Sequence, residues 1–129
     1  MMFRTINLVN YDSELERFED KEDLIRFYSK YGIDGIELQK VQDLQEKYLH
    51  KDMIIGIHLP FFSTWVDFYK GDMDKVLNEY GTMEVVEKIY GGKDKSALLK
   101  VYKEQLEFAD RIEAKYVVFH ICDISIEET

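Results

Sequence analysis

The segment YGIDGIELQK, residues 31–40, joins the end of a helix directly to a strand, and its reading decides the fold. Gly32 is the kind of residue that ends a helix in a left-handed turn, and Ile33–Leu38 follows as an apolar run of strand length. Upstream, Asp20 stands ready to cap a helix with Asp23 three residues on, and Leu24, Phe27, Tyr28 and Tyr31 form one apolar stripe. Three further runs, Thr5–Asn10, Ile54–Leu59 and Tyr116–Ile121, have the same strand character. Strand alternating with helix predicts an α/β fold with a parallel sheet.

A short helix over Val41–His50 is expected to lead through Lys51 and Asp52 into the third strand. The third and fourth strands are separated by a much longer interval with two helical patterns, Asp74–Tyr90 and Lys95–Glu113, punctuated by Gly91 and Gly92. In the second pattern Leu98, Leu99, Tyr102, Leu106, Ala109 and Ile112 recur at core-facing spacing, which marks it as the crossover helix. The stretch from Pro60 to about Gly92, with Phe61, Phe62, Trp65, Phe68 and Tyr69, then reads as a helical insertion within one domain, placed to roof a site. The 129 residues are about half of the roughly 250 of a complete eight-stranded barrel. The expectation is therefore a half-barrel of about four βα units.

The formal net charge of −9 repels polyanions and disfavours a general nucleic-acid role. No stretch has the length of a membrane span, and MMFRTINLVN lacks the pattern of a secretory leader. The single cysteine, Cys122, has no internal partner; a free thiol favours the cytoplasm and reads as an inert thiol rather than a nucleophile. No GxSxG, CxxC, HExxH or phosphate-loop pattern is present.

Side chains alternate along a strand, so the polar partners of each apolar run share a face. Ile6 and Leu8 oppose Thr5 and Asn7; Ile36 and Leu38 oppose Gly35 and Glu37; Ile55, Ile57 and Leu59 oppose Gly56 and His58; Val117, Phe119 and Ile121 oppose Val118 and His120. Each strand thus carries a polar residue towards its C-terminal end, where barrel active sites form. Asn7 is a candidate substrate contact. Glu37 is a candidate acid/base or ligand, its bland alternative being an ion pair. His58 and His120 suit a divalent metal such as zinc or manganese, but two histidines are fewer than the three protein ligands of a catalytic zinc. Phe62 and Trp65 are candidate faces for a sugar ring, with anchoring of the insertion to the barrel rim as the alternative. His50, near an expected helix end, reads as structural.

The segments GIDGIEL (32–38), GIHLPFFSTWVDFYKGD (56–72) and AKYVVFHICD (114–123) resemble the xylose-isomerase-like TIM-barrel superfamily, in particular its sugar phosphate isomerase/epimerase group. The resemblance implies the N-terminal half of such a barrel, with His58 and His120 at a metal or substrate pocket and Glu37 at an acidic position ending the second strand. It implies a metal-dependent isomerase or epimerase of a sugar or sugar phosphate. The family's main metal carboxylates, later histidine and principal base belong to the second half of the barrel, so the site is expected to be incomplete in this chain. A homodimer closing the barrel about a two-fold axis would cover both sheet edges. The alternatives are an apurinic-site endonuclease of the same superfamily, which the acidic charge disfavours, and a catalytically silent half-barrel that serves only in assembly.

Overall fold

The structure is a computed structural model and describes residues 2–120. Four strands, β1 (Thr5–Val9), β2 (Gly35–Gln39), β3 (Ile54–His58) and β4 (Tyr116–Val118), form one parallel sheet in the order β1-β2-β3-β4. The helices are α1 (Asp12–Leu15), α2 (Lys21–Lys30), α3 (Trp65–Lys70), α4 (Met73–Tyr80), α5 (Met83–Tyr90) and α6 (Lys95–Arg111). The chain divides into two compact units, one built from residues 2–59 and 106–119, the other from residues 60–105 and 120. The second exceeds the expected insertion, because it takes in the first part of α6. Ile121, expected in the fourth strand, and Cys122 lie outside the described residues.

In the sheet unit the core is Leu15, Leu24, Tyr28, Ile36, Leu38, Leu49, Met53, Ile54, Ile57, Leu59, Phe108 and Ala109. Helix α2 starts as expected, with the Asp23 backbone N–H donating to Asp20 Oδ1 at 2.9 Å, and Gly32 follows it at φ +71°. Its buried stripe is narrower than expected. Leu24 and Tyr28, one turn apart, face the core, whereas Phe27 and Tyr31 remain exposed and meet each other edge-on at 5.7 Å, with Phe27 also against Phe18.

The expected helix over Val41–His50 does not form. Residues 40–50 run as bends and turns, followed by one 3-10 turn at Lys51–Met53. The cause is Asn10, fully buried just past β1. Its amide donates to the Gln42 carbonyl at 3.0 Å and to Gln45 Oε1 at 3.2 Å, while its Oδ1 accepts from the Val41 backbone at 2.8 Å. Gln42 and Gln45 in turn donate to the Asn10 carbonyl, at 2.8 and 3.0 Å, and to Asp12. These bonds engage groups that a helix would otherwise use, and they satisfy a buried amide. His50 is structural, its Nδ1 accepting from the Asp52 backbone at 3.2 Å to cap the turn.

Strand register also departs from simple alternation. Ile36 pairs with Ile54 but Glu37 pairs with Gly56, so Ile55 is an extra residue on β3. Ile54, rather than Ile55, therefore joins Ile57 and Leu59 in the core. Ile55 lies against Gly35 on the opposite face, where a Cβ on the glycine would meet its side chain. On β4, Val117 shares the face of Ile57 but is 41% exposed, and Phe119 beyond it is 42% exposed, because β4 is an edge strand.

The other unit has its own core of Phe68, Val76, Val86, Tyr90 and Leu98. The expected single pattern over Asp74–Tyr90 is two helices broken at Gly81 (φ +89°), with Gly71 and Gly91 ending α3 and α5 in the same left-handed region. Tyr90 stacks flat on Phe68 at 3.8 Å, and its hydroxyl shares a buried 2.8 Å hydrogen bond with Thr64. Along α6 the buried positions are Leu98, Phe108 and Ala109, with Tyr102 partly covered; Leu99 and Leu106 sit one position round the helix and are about half exposed.

Asn10→Ala is expected to destabilise the chain by about 2 to 3 kcal/mol, since it orphans several buried backbone and amide groups at once. Urea unfolding followed by circular dichroism measures this; a loss below about 0.5 kcal/mol would mean that water replaces the network.

Candidate functional site

The register builds one row across the polar face of the sheet: Asn7 pairs with Glu37, Glu37 with Gly56, and Gly56 with Tyr116. The next row towards the strand ends carries Val9, Gln39, His58 and Val118. Asn7, Glu37, Gln39 and His58, with Leu8 and Val9, line a cavity of about 70 Å³ against the C-terminal halves of β1, β2 and β3. Three of the residues expected at a site are thus brought together. Asn7 is exposed, whereas Glu37 and His58 are half-buried.

The other three belong to the second unit. Phe62 lies 4.7 Å from the Tyr90 ring and 6.3 Å from that of Tyr102, and both Phe62 and Trp65 pack against the helical core. His120 is exposed, its ring 5.1 Å from that of Phe61.

Among the described residues Glu37 makes no ion pair. Its Oε1 accepts from the Tyr116 hydroxyl at 2.9 Å, and the same hydroxyl lies 3.1 Å from Thr5 Oγ1. A phenol has one proton to give; with that proton on Glu37, the Thr5 hydroxyl is the donor to the Tyr116 oxygen. To reach β2 and β1 from β4, the Tyr116 ring crosses directly over Gly56, where a Cβ would collide with it. Burial chiefly pushes the Tyr116 phenol above its ordinary value of 10.0; the Thr5 hydrogen bond opposes the rise, and the hydrogen bond and charge of Glu37 add to it. Tyr116 is not among the residues that the sequence singled out; its reach across Gly56 to Glu37, two strands away, depends on register, which the residues alone do not give.

Among the described residues no group of three or more His, Cys, Asp or Glu side chains is placed to hold a metal ion. Of His, Cys, Asp and Glu, the described cavity lining holds Glu37 and His58, one fewer than the three protein ligands of a catalytic zinc. The described residues therefore do not by themselves fit the expected metal centre. None of the described helices is long and apolar enough to cross a membrane.

What fold and site together define is a parallel α/β sheet whose polar face gathers a carboxylate, an imidazole and two amides at its strand ends. No protein-family model, curated protein or solved structure matches the chain.

Glu37→Gln removes the anionic charge that helps keep the Tyr116 phenol protonated. The variant is expected to ionise Tyr116 at a lower pH than the wild-type chain, read as the ¹³Cζ shift of labelled tyrosine during titration; an unchanged midpoint would contradict the contact.

Proposed function

We propose that this chain is a half-barrel of the xylose-isomerase-like kind that moves a proton between adjacent carbons of a sugar or sugar phosphate. The observation that carries the reading is the gathering of Asn7, Glu37 and His58 around one cavity on the C-terminal side of a parallel sheet. The strand order supports the barrel, because each strand is added beside the last, whereas a doubly wound sheet reverses direction.

At this cavity Glu37 is the one carboxylate among the described lining residues. In a 1,2-shift it takes the proton from the hydroxyl-bearing carbon next to the carbonyl, the C–H pair becomes the double bond of an enediolate as the carbonyl pair moves to oxygen, the hydroxyl proton passes to that oxygen, and the carboxyl returns its proton to the former carbonyl carbon while the neighbouring carbon becomes the new carbonyl. His58 and Asn7 offer hydrogen bonds to the oxygens on which charge develops. No oxidant or reductant is needed. A volume of about 70 Å³ holds on the order of two waters, against some 300 Å³ or more for a typical ligand pocket, so only the reacting end of a sugar enters it. A zinc or manganese ion belongs to this proposal only with donors beyond Glu37 and His58.

The small cavity also favours a second reading, in which the sheet serves assembly. Its edges, β1 and β4, are open among the described strands, and the exposed Val117 and Phe119 flank one of them. Pairing of β4 of one copy beside β1 of another would continue the parallel order and cover both. A homodimer is thus proposed under either reading.

Incubation with aldoses, ketoses and their phosphates in ²H₂O, with and without Zn²⁺ or Mn²⁺, tests the enzyme reading. Deuterium is expected to enter the carbon beside the carbonyl, with the rate falling at least about a hundredfold in Glu37→Gln and about tenfold in His58→Ala. No exchange with any sugar leaves the assembly reading. For that reading, sedimentation is expected to show a dimer that Val117→Lys dissociates; a monomer at all concentrations would reject it.

A further inference from the structure

We propose that Tyr116 is a positioning residue that aims Glu37 into the cavity through a relay of hydroxyls running Thr5 to Tyr116 to Glu37. The inference rests on the enzyme reading of Glu37 given above. Three features of the sheet carry it.

The first is connectivity. Oε1 of Glu37 accepts from Tyr116 at 2.9 Å, which is the hydrogen bond that Glu37 makes among the described residues. The side chain of a glutamate has three rotatable bonds and wanders unless something holds it. A single hydroxyl bond to one oxygen fixes the carboxylate while the other oxygen is left for a proton. The second is polarisation. Thr5 at 3.1 Å donates to the phenol oxygen once the phenol proton is committed to Glu37, and chained hydrogen bonds strengthen one another in a part-buried setting. The third is the channel through which the ring passes. Gly56 lies in the same row as Glu37 and Tyr116, and any side chain there would occupy the space of the ring. An aromatic residue whose only purpose was to cover the sheet would not need a polar tip ending between a threonine and a glutamate.

Tyr116 does not line the cavity, so it acts through Glu37 and not on substrate. A fastening role for the strands and a positioning role for the carboxylate give different results when the hydroxyl alone is removed. Tyr116→Phe keeps the ring over Gly56, and Thr5→Val keeps the shape of the residue that feeds the relay.

The test is a double-mutant cycle on the full chain with Tyr116→Phe and Glu37→Gln, using the sugar that exchanges deuterium above. Tyr116→Phe is expected to lower kcat by about tenfold to a hundredfold with KM within about twofold, as a misaimed group does. In the Glu37→Gln background the same substitution should cost nothing further. Losses that multiply in the double variant, or a rise in KM alone, would overturn the proposal. If no sugar reacts, the enzyme reading fails by itself, and the relay is still tested by NMR of ¹³Cδ-labelled glutamate. The carboxyl signal that Glu37→Gln abolishes should move in Tyr116→Phe, and move less in Thr5→Val, while the backbone amide spectra of both variants stay native. A signal that stays in place in Tyr116→Phe would overturn the relay.

Discussion

An extra residue in β3 governs the polar face. Ile36 pairs with Ile54 and Glu37 with Gly56, leaving Ile55 unmatched. Without that bulge Glu37 would stand opposite Ile55, and Gly56 and His58 would turn towards the helices, since a shift of one residue exchanges the faces of a strand. With it, Gly56 falls into the row of Asn7, Glu37 and Tyr116, and His58 reaches the same cavity as Glu37. The tyrosine can cross β3 only because the residue in that row is a glycine. Bulges are enriched beside functional sites for this reason: they re-aim side chains without interrupting the sheet.

Among the described residues Glu37 is held by one hydrogen bond, from the Tyr116 hydroxyl. A carboxylate tied up by an arginine or lysine would be committed to that cation, whereas one held by a phenol keeps an oxygen available and remains beside an imidazole. The tyrosine is itself braced by Thr5, so residues of β1, β2 and β4 converge on a single hydrogen-bonded unit. Such a unit stiffens the sheet and orients a functional group by the same bonds.

The helical unit follows a different physical logic. Its core is dominated by the stacked pair Phe68 and Tyr90, with Phe62 tilted against the latter and the Thr64 hydroxyl satisfying the buried phenol. Burial pushes the Tyr90 phenol far above its ordinary range, so it stays protonated as a donor or acceptor at any physiological pH. Short helices separated by left-handed glycines let four segments wrap this small aromatic centre. Phe62 and Trp65, candidate faces for a sugar ring in the sequence, pack against that core.

By itself the sequence determined the parallel α/β class, the four strands, the cap and stop of α2 and the polar character of one sheet face, because these depend on local periodicity and on single capping or glycine residues. Alternation placed Asn7, Glu37 and His58 on a common face before any pairing was known. Only the tertiary structure decided the rest. The loop over residues 41–50 carries a weak helical pattern that loses to the buried amide of Asn10, a partner more than thirty residues away in sequence. The bulge at Ile55, the passage of Tyr116 over Gly56 and the exposure of Leu99, Leu106, Val117 and Phe119 likewise depend on which strand or helix lies alongside. Neighbours of that kind are set by register and packing across the chain, and no local pattern of residues encodes them.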